Sequence, residues 1–194
     1  MKFDQSPVAL LHQIAQASAS VDRDVISAQD MTASWSGIGF SLCGQRMIAP
    51  MGEVVEIVNV PPITYVPRVK DWLLGIANVR GRLLPIIDLE RYFGARLAGN
   101  KNRHRALIID VDGIYAGLVV SNVFGLKHFM SDAFDEGFER SGELFEGCID
   151  ARGIENGVQW FRFQPHLLTA ESTFRDPSSL QEDSNDRLAG GAAS

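Results

Sequence analysis

The residues that could carry chemistry are few, and they favour recognition over catalysis. The histidines have no metal-ligand spacing, and the sequence contains neither GxSxG nor HExxH. The glycines of GIGFSLCG (37–44) miss the GxGxxG spacing of a dinucleotide site. The glutamates between positions 136 and 146 are too dispersed for an acid–base pair and indicate a solvated face. The sequence therefore predicts no catalytic residue, no metal site and no cofactor.

What remains is a polar interruption of an apolar run. In GIANVRGRLLPIIDL (75–89), Arg80-Gly81-Arg82 separates two strand-like halves. Glycine supplies the positive φ that a tight hairpin turn needs, so the interruption reads as a turn. Arg80 and Arg82 would then lie at the rim of a sheet or barrel. There a guanidinium can bind a partner, or it can hydrogen-bond carbonyl groups of its own chain.

The sequence makes a specific prediction for each of three residues near the turn. Pro85 lacks an N–H, so it belongs on an edge, at a bulge or at a barrel seam. Asp88 follows an apolar strand and is expected to cap the helical turn that begins at Leu89. Trp72 is expected in the core.

The elements that would position the turn are short strands. From Trp35 to about Ala170 the apolar runs are short, β-branched and bounded by glycine or proline, which is typical of β-barrels and sandwiches. Two helical turns are expected, at Leu89–Phe93 and Pro165–Thr169. The predicted strands are Ile38–Cys43, Arg46–Ala49, Val54–Val60, Leu73–Val79, Leu83–Leu89, Ala106–Val111, Ile114–Val120, Gly147–Ala151 and Val158–Phe163.

The composition bounds the kind of protein. With 194 residues, 45% hydrophobic content and 22% charged residues, the chain is typical of a soluble globular protein with a real core. A net charge of −6 argues against nucleic acid and anionic lipid as partners. No signal pattern and no apolar run of the ~18 residues that a membrane span needs is present, so we expect a cytoplasmic protein without direct membrane insertion. Cys43 and Cys148 are expected to be reduced thiols of the core.

The body of the chain repeats itself. MIAPMGEVVEI (47–57) aligns without gaps with AGLVVSNVFGL (116–126), and GIANVRG (75–81) aligns with GCIDARG (147–153). The offsets are nearly equal, which indicates two similar units of about 70 residues. A unit of that size is small for a stable core of its own, so two barrels with a common apolar interface are expected.

These patterns divide the chain. Residues 1–34 are expected to form a helical extension, with an amphipathic helix near its start. The body, 35–170, would hold the two repeats at about 36–104 and 105–170. Residues 171–194 are polar and rich in serine and glycine, and are expected to be a disordered tail.

The body resembles the CheW-like domain of bacterial chemosensory systems. Within YVPRVKDWLLGIANVRGRLLPIIDLERYFG (65–94), the positions that match the family pattern are Pro67, Trp72, Gly75, Asn78, Arg80, Gly81, Pro85, Asp88 and Leu89. The resemblance covers about 35–170 and is strongest to adaptors of type IV pilus, or twitching, systems. It implies a mainly β fold of two SH3-like five-stranded β-barrels that share a hydrophobic core.

The resemblance also implies a function. Members are non-enzymatic adaptors that couple the cytoplasmic tip of a methyl-accepting chemoreceptor to the regulatory domain of a CheA-type histidine kinase, within receptor arrays at the inner membrane. The receptor site would lie in the groove between the barrels and the kinase contact at the barrel ends. Gln164 stands where the first repeat has an acid, which makes the end of the second barrel the weaker candidate. Carried over by motif, the partner-binding residues would be Val54, Glu56, Asn78, Arg80, Gly81 and Arg82.

Other functions stay open at this point. The adaptor could belong to a flagellar chemotaxis system. From different classes, a small-ligand-binding or hydrolytic β-barrel, or an oligonucleotide-binding barrel, would be compatible with the strand pattern. The hydrolytic alternative requires convergent titratable residues, and the oligonucleotide alternative requires basic and aromatic residues together.

Overall fold

The computed structural model describes residues 34–137 and 145–178. The chain divides into two compact units, residues 1–34 and 35–194, and the elements below belong to the second unit apart from the first residue of its first strand. The helices expected before Trp35 lie outside the described residues.

The described residues form short strands joined by turns and a few helical turns. The helices are α1 (Leu89–Tyr92), α2 (Pro165–Ala170) and α3 (Ser172–Arg175), and 3₁₀ turns occur at Lys101–Arg103, Ser131–Ala133 and Glu146–Cys148. The strands are β1 (Ser34–Leu42), β2 (Gln45–Pro50), β3 (Val54–Asn59), β4 (Leu73–Val79), β5 (Arg82–Asp88), β6 (Arg105–Val111), β7 (Ile114–Val120), β8 (Asn122–Met130), β9 (Phe134–Asp135), β10 (Ile149–Glu155) and β11 (Val158–Phe163).

Each of the nine predicted strands and both helical turns are present, but two strands were not predicted. β8 carries Gly125 at φ +84°, and Lys127 and His128 interrupt its apolar pattern. A strand with an irregular backbone and mixed side chains has no clear period of two, so its sequence gives a weak signal. β9 has two residues and no recognisable pattern.

The strands form two sheets. The first sheet has the order β8-β1-β2-β11-β10-β9, and the second has the order β3-β6-β7-β5-β4. Most neighbours are antiparallel, but β11 pairs parallel with β2 and β5 pairs parallel with β7. The parallel pairing of β5 with β7 covers Ile86–Asp88 only, so Pro85 lies just before it begins, where its missing N–H interrupts no bond to β7.

The two repeats exchange their hairpins. The β1–β2 hairpin of the first repeat lies in the sheet with β8, β10 and β11, whereas the β6–β7 hairpin of the second repeat lies in the sheet with β3, β4 and β5. The sheets therefore do not divide the chain at residue 104, where the first repeat was expected to end. Neither repeat forms a barrel from its own strands alone, and each barrel contains strands from both.

Three apolar clusters fill the fold and agree with the predicted architecture, although the first sheet has six strands where five were expected, because β9 adds two residues at its edge. A layer shared by both sheets includes Phe40 and Phe161 from the first and Leu107 and Leu118 from the second. The interior of the second barrel contains Ala77, Val79, Leu84, Ile86, Ala106, Ile108 and Val119. The smaller interior of the first barrel is built around Ile48, Phe129 and Trp160. Trp72 is buried in the shared layer, as predicted.

The tail was predicted to be disordered from residue 171, and for residues 171–178 this is wrong. α3 places Phe174 in the shared core, with 6% of its surface exposed. Beyond it, Val69 and Ser178 form a β-bridge. A single aromatic residue in a polar stretch is enough to dock the segment, and composition averaged over the whole tail conceals it.

Gly75 allows the loop before β4 to close against the sheet. Its φ of +139° is outside the range that side chains favour, and a Cβ atom there would overlap the carbonyl oxygen of Thr64. Thr64 exchanges both backbone hydrogen bonds with Ile76, at 2.8 and 2.9 Å, so this carbonyl cannot move freely.

We expect Gly75→Ala to lower the free energy of unfolding by about 2 kcal/mol or more, because strain and overlap add. Gly44→Ala is the matched control, since Gly44 also has a positive φ but open space around it; it should cost about 1 kcal/mol. Urea unfolding of both variants measures the difference, and equal losses would contradict this account.

Candidate functional site

The β4–β5 turn has the geometry its sequence predicts. Arg80 and Gly81 have φ values of +52° and +85°, the pattern of a type I′ turn. The side-chain carbonyl of Asn78 accepts a hydrogen bond of 2.7 Å from the backbone N–H of Gly81. Asn78 thus fixes the turn and directs Arg80 away from the hairpin.

The turn meets the strand at the other edge of its sheet. Arg80 Nη2 lies 2.6 Å from Glu56 Oε1 of β3. β3 and β4 are the two edge strands of the second sheet, so this ion pair bridges the seam where the barrel closes. The arginine side chain is 79% exposed and the glutamate 23%, which places the pair at the mouth of the seam.

Exposed apolar side chains lie on the strands that this ion pair connects. Val55 and Ile57 project outward from β3 and are 52% and 36% exposed, while Ile76 and Leu83 of the β4–β5 hairpin are 39% and 71% exposed. We call these four residues the seam patch. Several large exposed apolar side chains on the same strands as an ion pair are typical of an interaction surface rather than a solvated one.

Two of the predicted site residues lie elsewhere. Val54 is half-buried and packs against the shared core, whereas its neighbour Val55 faces solvent. Arg82 lies over the ring of Tyr115, 3.5 Å from its centroid, and 3.6 Å from Asp110 Oδ2. Both contacts hold Arg82 on its own barrel, next to the turn but not across the seam.

Within the described residues, the first barrel has no counterpart of this site. The bulge between Leu73 and Gly75 recurs between Ile149 and Ala151, which shows that β4 corresponds to β10 four residues later than the sequence alignment implied. Arg152 is consequently a strand residue and not the equivalent of Arg80.

At the corresponding turn stand Asn156 and Gly157, with φ of +50° and +75°. The sequence repeat also places Gly125 at the position of Glu56. The first barrel therefore repeats the turn but not the ion pair.

A second candidate surface lies at the other end of the β4–β5 hairpin. An apolar groove of about 370 Å³ opens along the layer shared by the sheets. We call it the interbarrel groove. Its charged lining residues are Asp112 and Arg175, and its other lining residues are Trp72, Leu73, Pro85, Ile87, Ile114, Ala116, Phe174 and Pro177.

Asp88 joins this groove region to α1. Its Oδ1 accepts a hydrogen bond of 2.9 Å from the backbone N–H of Arg91, which is the helix cap the sequence predicts. Burial raises the pKa of Asp88, and the hydrogen bond and charge of Arg91 oppose that rise.

Among residues 34–137 and 145–178, no group of three or more histidine, cysteine and acidic side chains could hold a metal ion. Over the same part of the chain, no helix has the length and apolar character to span a membrane.

The model of the CheW-like domain family matches residues 36–163. The chain belongs to the CheW-like family. It is 39% identical over 173 residues to protein PilI of Pseudomonas aeruginosa, covering 89% of this chain and 96% of that protein. It is 30% identical over 129 residues to protein FrzA of Myxococcus xanthus, covering 64% and 80%.

The fold also matches a solved structure. The scaffolding protein TtCheW from Thermoanaerobacter tengcongensis aligns with a TM-score of 0.59 and 22% identity, over 69% of this chain and 92% of that one. The resemblance found in the sequence is confirmed, and so is the CheW-like fold. The motif around Arg80 identified the turn that forms the ion pair with Glu56. The sequence did not predict the exposed residues of the seam patch, because an exposed apolar strand residue cannot be distinguished in a sequence from a buried one of the same type.

The seam ion pair is expected to contribute little to stability, because exposed pairs are screened by water. Arg80→Ala should change the free energy of unfolding by less than about 1 kcal/mol. Leu84→Ala, in the interior of the same barrel, should cost about 2–5 kcal/mol. Chemical denaturation of the two variants tests this, and a large loss in Arg80→Ala would make the arginine a structural residue.

The raised pKa of Asp88 predicts how the stability of the protein changes with pH. The native state binds the proton more tightly than the unfolded chain, so stability falls as the pH rises from the ordinary aspartate range through the higher native pKa. In Asp88→Asn, which retains a capping side chain, this fall should be absent. Unfolding free energies measured from about pH 3.5 to 7 decide this, and an identical pH dependence in both proteins would refute it.

Proposed function

We propose that this chain is a non-enzymatic adaptor that couples a methyl-accepting chemoreceptor to a CheA-type histidine kinase. Membership of the CheW-like family supports a scaffolding role. The observation that carries the proposal is the presence of two separate surfaces on one body, the seam patch and the interbarrel groove. An adaptor needs two such surfaces, whereas a single-ligand protein needs one.

The seam patch is assigned to the regulatory domain of the kinase. Its exposed apolar residues supply area to bury, and the Glu56–Arg80 pair supplies charge on the same strands. Charged groups within an apolar interface fix orientation and exclude wrong partners. Because the pair is exposed, Arg80 can exchange Glu56 for an acidic group of the kinase at little cost to the fold.

The interbarrel groove is assigned to the cytoplasmic tip of the receptor. Its floor and walls are mainly apolar, and its volume of about 370 Å³ accommodates a few side chains of a docked segment. Asp112 and Arg175 give its rim one acid and one base. Charged groups at the rim fix the position of a partner that otherwise binds by burying apolar surface.

The two surfaces meet along the β4–β5 hairpin, but their charged groups are far apart. Pro85 of the groove pairs with Ile76 of the seam patch. The turn that carries Arg80 lies at one end of the hairpin, and Trp72, Leu73 and Ile87 of the groove lie at the other, about 20 Å away along strands of seven residues.

The output is assigned to a type IV pilus system that controls twitching motility. The support is the 39% identity to PilI of Pseudomonas aeruginosa, which extends over nearly the whole of that protein. In this role the chain works in the cytoplasm, associated with receptor arrays at the inner membrane.

Titration calorimetry against the isolated regulatory domain of the kinase tests the assignment of the seam patch. Arg80→Glu should weaken kinase binding by about tenfold or more, since it reverses the charge of this residue and places two acids together. Binding of a receptor-tip fragment should change by less than about twofold, because the groove is untouched.

Arg103→Glu is the matched control. This exposed arginine lies on the 3₁₀ turn between β5 and β6, and reversing its charge should affect neither partner. Full kinase affinity in a folded Arg80→Glu variant would remove the kinase from the seam patch. No binding of either partner by the wild-type chain would remove the adaptor function.

A further inference from the structure

Residues 171–178 cross the end of the shared core, and we call them the strap. The strap follows α2 directly and contains α3. At its far end, the backbone N–H of Lys70 donates a hydrogen bond of 2.8 Å to the carbonyl oxygen of Pro177. Just after its middle, Arg175 turns back, and its Nε–H donates a hydrogen bond of 2.7 Å to the carbonyl oxygen of Thr169 in α2. The segment is thus tied to α2 and to the loop before β4.

The middle of the strap is anchored by one aromatic side chain. The ring of Phe174 stacks on Trp72 with an interplanar angle of 5° and a centroid distance of 6.1 Å. It also meets the edge of Tyr92 at 5.6 Å. Aromatic contacts of this kind add to the burial of the ring itself, so Phe174 provides most of the apolar attachment.

Glu171 fastens the start of the strap to two buried donors. Its Oε2 accepts a hydrogen bond of 2.5 Å from the hydroxyl of Tyr92, and its Oε1 accepts one of 3.3 Å from the thiol of Cys148. Burial, with the neighbouring Glu171, raises the pKa of both Tyr92 and Cys148 well above the ordinary range. Both groups therefore keep their protons at neutral pH and remain donors to the carboxylate.

The strap is also part of the interbarrel groove. Phe174, Arg175 and Pro177 form one side of it, opposite residues of β5 and of the β6–β7 hairpin. Of the two charged residues at the rim, the basic one comes from the strap and the acidic one, Asp112, from the body. The groove therefore has its observed shape and charge only while the strap is closed.

We propose that the strap is a closing wall of the receptor groove, and that its closure, secured by Phe174 and Glu171, sets the affinity for the receptor tip. The identity of the partner rests on the proposed function, whereas the closure of the strap does not. When the strap opens, the groove loses an apolar wall and Arg175, the basic residue of its rim. A partner then buries less apolar surface and has fewer charged contacts to fix its position.

Reactivity of Cys148 measures closure without any partner. The thiol is fully buried and hydrogen-bonded to the strap, so it should react with an aromatic disulfide reagent only when the strap opens. The measurement uses a Cys43→Ser background, because Cys43 is partly exposed. Phe174→Ala should raise the rate of modification by about tenfold or more, and Phe174→Leu should restore part of the protection.

Two truncations provide a matched pair. A chain that stops after Ala170 lacks the strap, and it should show the rapid modification of Phe174→Ala. A chain that stops after Ser178 keeps the strap, and its rate should equal that of the full chain. Unchanged protection of Cys148 in a folded Phe174→Ala variant would overturn the closure itself.

Calorimetry with the receptor-tip fragment then tests the role of the wall. Phe174→Ala should weaken tip binding by about fivefold or more, while kinase binding at the seam patch stays within about twofold. The chain that stops after Ser178 should bind the tip like the full chain.

The outcomes separate the two proposals. If the full chain binds the tip and Phe174→Ala binds it equally well, the strap is not a wall of the receptor site. If the full chain binds the kinase domain but no tip, the assignment of the groove to the receptor fails, even where Cys148 reports a closed strap.

Discussion

The fold depends on a layer of apolar side chains that neither sheet can bury alone. β6 shows the constraint most directly, because Leu107 and Ile109 face the shared layer while Ala106 and Ile108 face the interior of their own barrel. A strand that is apolar on both faces needs cover on both faces. The exchange of the β1–β2 and β6–β7 hairpins supplies this cover, because each hairpin belongs to the sheet of one barrel and packs against the other barrel.

This constraint holds the two barrels together in one unit, as the proposed adaptor function requires. Separating the barrels would expose the layer that contains Phe40, Leu107 and Phe161. The seam patch and the interbarrel groove therefore hold a constant spacing. The same layer explains the groove itself, which opens where β5 leaves β7 beside Pro85 and where the strap completes the cover.

Much of the fold was predictable because the strands are short and clearly bounded, and the CheW-like motif placed the Arg80 turn, Asp88 and Trp72 correctly. The failures have physical reasons. Periodicity reports which residues are apolar but not which strand they pair with, so the hairpin exchange and the true register of Arg152 were hidden. Composition reports an average, so one docked residue, Phe174, was lost among the polar residues of the tail. Exposure depends on the final packing, so Val54 was selected where Val55 faces solvent.

Simultaneous occupancy of the two surfaces is the central claim. The most direct test is to titrate the receptor-tip fragment into the adaptor alone and into the adaptor saturated with the kinase regulatory domain. Analytical ultracentrifugation then measures the mass of the complex that forms. We predict a complex with one copy of each component and tip affinities that agree within about twofold in the two titrations. Displacement of the kinase domain by the tip would show that both partners use one surface, and would contradict the account.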